Sequence, residues 1–474
     1  MKQKLSFEGI VRPNGPTAAL ADFVVNLKCK NLPAAVIDRA RVALLDLLSC
    51  GLAGAHSAAA RSCRSALHRF GGAQHGNVVW GTTEKLSSPW AAMANAIAAR
   101  VPKMDDIYLG GKLHPGSFVM PALLSAAEDL QREGRTVSGQ RAIEAIVAGY
   151  EVSARTSQAA GAAEQRLRGW HPTGTCGPIG AAATVSKLLD LDGESTLSAL
   201  GLGGDQAAGL SLHHSDGSMV GYFHSGHAAM GGLLGAYLAQ SGFRGPGEVL
   251  AAEDAGLCRA LSGQCDVHKL TDQLGERFVL VGTGMKPYAS CRSTHGAVHS
   301  VIALRREHAF KPDEVRRVVV HTNRIAMMQC RHVVMPPNRV PGGSTSMAYA
   351  SAAAICDREV GPMQLAAERM EQTDVQNLAQ HVEMVVDPVF DAAYPQSWPC
   401  KVGVELENGR CFERARDNPP WEPEDPVEWG VLVERFHHMA GDVLPEHKIN
   451  ALISQVADLP NLNSLASIFE NLAA

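Results

Sequence analysis

Gly169-Trp170-His171-Pro172-Thr173-Gly174-Thr175-Cys176-Gly177-Pro178-Ile179-Gly180-Ala181-Ala182-Ala183 is the stretch on which the fold turns. Proline suits a first helical turn, because its missing N–H would have no partner there. The small residues after it let helix axes approach closely. The same order recurs at Leu113-His114-Pro115-Gly116, ahead of residues 118–127, and at Phe223-His224-Ser225-Gly226, ahead of residues 228–239. Unpaired N–H groups at a helix start attract anions, and the positive end of the dipole disfavours imidazolium. The reading is that three such histidines stay neutral, able to take a proton, and converge on a pocket for a carboxylate-rich substrate. That is the pattern of an enzyme.

The chain around these stretches has 474 residues, more than one hydrophobic core usually supports, so two domains are expected. A net charge of −5 and the absence of a long basic run argue against a nucleic-acid partner. With 5% aromatic residues and 46 glycines, close-packed helices are favoured over a large β-sandwich. The 11 cysteines stand singly, without a C-x-x-C pair, which suits free thiols in a reducing compartment and removes the usual spacing for zinc or an iron–sulfur cluster. Met1 to Glu8 has no apolar core of a signal peptide, and apolar runs such as 347–356 are too short to span a bilayer. The expectation is a cytoplasmic protein without a membrane partner.

Helical stripes are read at 33–52, 88–100, 118–132, 140–158, 175–189, 194–210 and 226–241, with a β-like Val78-Val79-Trp80 after Gly71-Gly72. The character changes at Phe278-Val279-Leu280-Val281, read as a strand. Further strands are read at 317–322, 382–386 and 402–406, the last ahead of the hairpin pair Asn408-Gly409. After a proline-rich stretch at 418–423 the pattern returns to helix. The expected fold class is therefore α plus α/β: a large all-helical domain (1–280), a smaller α/β lid domain (281–416), and C-terminal helices (417–474) that rejoin the helical domain. Gly201-Leu202-Gly203-Gly204 follows a helix, and the position of the fingerprint's third glycine holds Gln206, so it is a helix break rather than a dinucleotide loop.

A set of motifs in fixed order completes the reading: Met104-Asp105-Asp106, the His114 and His171 stretches, Asp216-Gly217-Ser218-Met219 with His224-Ser225-Gly226-His227, Ser241-Gly242-Phe243-Arg244-Gly245-Pro246, Lys286-Pro287-Tyr288, Cys291-Arg292-Ser293-Thr294-His295 and Ser346-Met347-Ala348-Tyr349. Together they resemble the MmgE/PrpD family, which includes 2-methylcitrate dehydratase, cis-aconitate decarboxylase and iminodisuccinate epimerase. The resemblance implies a homodimer working without metal or organic cofactor on a small di- or tricarboxylic acid, through proton abstraction beside a carboxylate. It implies His114, His171, Lys286 and Tyr349 as catalytic residues, with His224 and Arg292 placed to bind carboxylate; Lys103 and Asp106 are read as further substrate-binding residues. A dehydratase is the leading expectation. An epimerase or decarboxylase is the alternative, and a member that only binds an acid metabolite is a third.

Two departures stand against a direct transfer. Lys103 occupies a position where the family often has an acidic residue, with Arg100 at a histidine position, and Gly221 occupies a lysine position. On pattern alone, His213-His214 reads as an exposed pair with no role, and Cys176 and Cys291 as packed thiols.

Overall fold

The computed structural model describes residues 14–70, 76–331, 343–394 and 396–474. The readings of Met1–Glu8 and of Gly71-Gly72 lie outside the described residues. The helical part runs α1 (Pro16–Asn26), α2 (Ala34–Gly54), α3 (Ala58–Leu67), α4 (Ser88–Arg100), α5 (Gly116–Arg132), α6 (Gly139–Ala159), α7 (Ala162–Leu167), α8 (Pro172–Leu189), α9 (Gly193–Asp205), α10 (His213–Asp216) and α11 (Val220–Gln240). A two-stranded ribbon, β1 (Asn77–Val78) with β2 (Lys85–Leu86), sits ahead of α4.

Every residue of α8 is buried, as expected of a helix that is small or apolar all round. It lies at the centre, packed on α5, α6, α9 and α11. Glycine makes this approach possible. A Cβ on Gly180 would lie 2.6 Å from the Ser153 Cβ and 2.8 Å from the Gly149 carbonyl oxygen of α6. One on Gly232 of α11 would lie 2.4 Å from the Ala181 Cβ.

The α/β part holds a four-stranded sheet in the order β4-β3-β5-β6, made of β3 (Val315–Thr322), β4 (Val382–Val386), β5 (Cys400–Leu406) and β6 (Cys411–Arg416). β3 pairs parallel with β4 and antiparallel with β5. β5 turns into β6 at Asn408-Gly409, where Gly409 takes φ +84°. Cys400, Val402, Val404 and Leu406 face inward under the His295–His308 helix. The Trp429–Ala440 and Glu446–Ala457 helices pack on α2, and Ala466–Leu472 packs on α5. Among the described residues no single helix is long and apolar enough to cross a membrane.

Three local readings are corrected. Phe278-Val281 is not a strand: Val279–Gly282 forms a 3-10 turn, where the buried Glu151 carboxylate of α6 accepts the Val279 N–H and, among the described residues, no strand pairs with it. The helix expected at 194–210 ends at Asp205, which frees the Gly209 carbonyl to accept the His171 N–H at 3.0 Å. α11 begins at Val220, so His224 lies inside that helix rather than ahead of it.

Candidate active site

Pro172 at the first turn of α8 leaves His171 as the N-cap residue, while at α5 Pro115 is itself the N-cap and His114 stands one residue ahead of it. The two loops are tied together, since the His114 N–H donates to the Thr173 hydroxyl at 3.2 Å. The chain between α4 and His114 also pairs with the start of the α/β part: Ile107 and Gly284 exchange backbone hydrogen bonds of 2.9 and 2.8 Å. That bridge brings Lys286 to the histidines. The Lys286 carbonyl is held from behind by Arg435 at 3.1 Å.

Between these segments lies a cavity of about 100 Å³. Of the residues expected from the sequence, Lys103, His114, His171, Lys286 and Arg292 line it. Arg100, Lys112, Arg166 and His214 line it as well, although the sequence reading gave none of them a site role. Among the described residues no aspartate or glutamate does.

Two of the six cations are committed. Arg100 pairs with Asp105 at 2.6 Å. Arg292, expected to grip a carboxylate with paired donors, spends its Nε and Nη2 on Glu422 at 2.8 and 2.5 Å and its Nη1 on the Met285 carbonyl. It is a wall residue, not an open fork. Lys112 donates to the Tyr394 hydroxyl. Lys103 lies over the Tyr222 ring, 4.8 Å from its centroid, in a left-handed conformation (φ 60°) that a lysine rarely adopts. Like Lys112, the side chains of Lys103, Arg166 and Lys286 have no carboxylate partner among the described residues. Burial, reinforced by Arg100 and Lys286, brings Lys103 down to about 7. Burial opposed by Asp105 brings Lys286 to about 8.

The His114 Nδ1 lies 2.7 Å from the Asp106 carbonyl oxygen. A carbonyl only accepts, so Nδ1 carries the proton and Nε2 the lone pair. Burial and the Arg100 charge take His114 down to about 4. His171 shares a proton with His224, Nδ1 to Nδ1 at 2.7 Å, and burial holds His171 well below the usual histidine value.

Three expected residues stand apart from the cavity: His224, bonded to His171, and then Asp106 and Tyr349. The Asp106 carboxyl accepts the Tyr150 hydroxyl at 2.6 Å and the Gly116 N–H at 3.0 Å, and burial raises it to about 7. These contacts anchor the start of α5. Tyr349 is fully buried in the Met347–Asp357 helix and donates its hydroxyl to the Gln364 carbonyl. Its apolar helix face decided its place.

The histidine pair dismissed on pattern turns inward. His213 is 3% exposed, with its ring centroid 4.9 Å from that of His171, and His214 is in the cavity wall. The glycine at 221 is explained by the same turn: a Cβ there would lie 2.7 Å from the His213 ring. Cys291 is also a wall residue rather than a packed thiol, its sulfur 3.8 Å from the Gln329 amide oxygen. Cys176 is packed as read, its thiol raised to about 11 by burial. The signal that could have found the missed cations is Arg166-Leu167-Arg168, one turn ahead of the His171 stretch.

Helical bodies thus meet an α/β part over a cavity whose wall, among the described residues, carries six cations and no acid. Residues 18–269 match the MmgE/PrpD N-terminal domain and residues 288–459 the MmgE/PrpD C-terminal domain. The chain belongs to the MmgE/PrpD family. It is 27% identical to a cis-aconitate decarboxylase of Aspergillus terreus, with 96% of each chain covered. It is 28% identical to the cis-aconitate decarboxylase-like protein oryM of Aspergillus oryzae, over 94% of each. To the human cis-aconitate decarboxylase it is 25% identical, over 94% of this chain and 92% of that one.

Proposed function

We propose that the protein is a lyase that decarboxylates cis-aconitate or a closely similar unsaturated tricarboxylate. The observation that carries this is the cavity wall: six cationic side chains, four of them without a carboxylate partner, and no acid among the described residues. Such a wall compensates the charge of a trianion. The relatives named as decarboxylases favour this reaction over the dehydration expected first. So does the chemistry of the histidines. A dehydratase must pull a proton from carbon, and His114 at about 4 is a weak base for that.

In cis-aconitate one carboxylate sits on a methylene beside the double bond. Loss of CO2 breaks that carbon–carbon bond, and its electron pair forms a new double bond to the central carbon. The original double-bond pair takes a proton at the far carbon, giving methylenesuccinate. One proton is consumed per CO2, and three carboxylates become two. A lysine near neutrality is suited to supply that proton, so Lys286 and Lys103 are the donors we assign, with Arg166 holding a retained carboxylate and His114 and His171 orienting the acid. A homodimer and a cytoplasmic setting are part of the same proposal. Sedimentation equilibrium decides the first, and a monomer at micromolar concentration would remove it.

Proton NMR in D2O with cis-aconitate, citrate, 2-methylcitrate and iminodisuccinate tests the reading. Methylenesuccinate carrying deuterium, with CO2 released, is the expected result. Conversion of 2-methylcitrate without CO2 would restore the dehydratase. Silence across the panel from folded protein would leave only acid binding.

A further inference from the structure

We propose that His213 and His214 are specificity-determining residues: His214, in the cavity wall and backed by His213, His171 and His224, donates a hydrogen bond to one carboxylate of a tricarboxylate substrate, and His213 positions it. This rests on the function proposed above and goes beyond it by assigning a subsite.

The four rings form one cluster. His213 lies 4.2 Å from His214, 4.9 Å from His171 and 5.6 Å from His224, centroid to centroid. His171 and His214 reach the cavity, and His213 sits behind them, buried. A neutral imidazole always carries one N–H and one lone pair. Yet both ring nitrogens of His213, and Nδ1 of His214, have no hydrogen-bond partner among the described residues although they are buried. Buried donors are ordinarily paired, so an unpaired group beside a cavity marks where a ligand atom belongs.

The missing partner is an acceptor. Burial and the neighbouring histidine, with Lys103 and Arg100, keep His213 well below the usual histidine value, and burial with Arg166, Lys103 and Arg100 does the same for His214. The charged groups that act most strongly on the pair, Lys103, Arg100 and Arg166, are positive, and His171, His224 and His114 lie around them. No group of three His, Cys, Asp or Glu side chains among the described residues is placed to hold a metal ion. A carboxylate supplies what the cluster lacks: lone pairs and negative charge.

The cluster is also built rather than incidental. A Cβ on Gly221 would lie 2.7 Å from the His213 ring, and one on Gly209, at φ +119°, 3.1 Å from the His224 ring. Side chains are absent where the rings need room.

The test uses the full chain and calorimetric titration with two unreactive acids, propane-1,2,3-tricarboxylate and glutarate, which lacks the central carboxylate. Wild type is expected to prefer the tricarboxylate by about tenfold or more, as one well-placed polar contact allows. His214→Leu, at a half-exposed position that tolerates it, is expected to bring the two affinities within about twofold. His213→Asn and His214→Asn keep an N–H and are expected to retain part of the preference, which a merely structural role would not predict. A wild-type preference in folded His214→Leu would overturn the inference. If that variant keeps the preference while wild type still turns over cis-aconitate, only the subsite fails. If wild type binds neither acid, the proposed function fails with it.

Discussion

Lys286 shows how much one residue's role depends on what surrounds it. In water its ammonium would be a permanent charge, but here burial brings it to about 8, with Asp105 opposing the shift. Lys103 is brought to about 7 by burial and by Arg100 and Lys286. Both are proton donors only below these values, so kcat/KM for the decarboxylation is expected to fall as pH rises through 7 to 8. A rate that stays flat to pH 10 would remove the lysines from proton transfer. Lys286→Met is expected to lower kcat by about 10²–10³, the scale of losing one placed electrostatic group, with circular dichroism unchanged. Lys286→Arg is not expected to restore it, because a guanidinium does not release its proton in this range. At this scale the sequence reading was uneven. His114, His171 and Lys286 were legible because proline or motif context marks them. What the sequence could not show is that Asp106, Arg292 and Tyr349 bond to Tyr150, Glu422 and the Gln364 carbonyl, because these partners lie 44, 130 and 15 residues away.

The helices were legible where small residues repeat. The α5, α6 and α8 positions follow from the Gly and Ala runs and the proline starts, and the strands at 317–322, 382–386 and 402–406 from their alternation. Helix boundaries were less so, and the six-residue error at α11 had a consequence: it hid that His224 faces α8 from inside a helix. Phe278-Val281 was misread because four apolar β-branched or bulky residues suit a strand, and only the Glu151 carboxylate from a distant helix turns them into a 3-10 turn. Close approach of α6 and α8 makes its own prediction. Gly180→Val places new atoms against Ser153 and the Gly149 carbonyl, so it is expected to destabilise by about 1–3 kcal/mol or more in urea denaturation. An unchanged midpoint would show that the two helices can part without loss.

Over the whole molecule, Arg435 joins the C-terminal helices to the site. It pairs with buried Asp46 of α2 at 2.8 Å and holds the Lys286 carbonyl. Arg435→Met leaves Asp46 buried without its cation, an expected loss of about 3–5 kcal/mol. Burial already raises Asp46 to about 6, above the ordinary 3.8, and removing the cation raises it further. Between those values the folded state keeps a proton that the unfolded state releases, so stability falls as pH rises. The loss is therefore expected to be larger at pH 8 than at pH 5, by thermal denaturation at both. Equal losses would show that Asp46 stays ionised.

The amino-acid order alone determined the α plus α/β class, the family and the two histidines ahead of proline-initiated helices, because these depend on local propensity, periodicity and motif order. Only the tertiary structure decided which charges are available. Arg100 and Arg292 are neutralised by buried acids, Lys103, Arg166 and Lys286 are left to the cavity, and His213 is folded inward against Gly221. A side chain's type is written in the chain, but its charge partner and its solvation come from residues that only folding brings beside it.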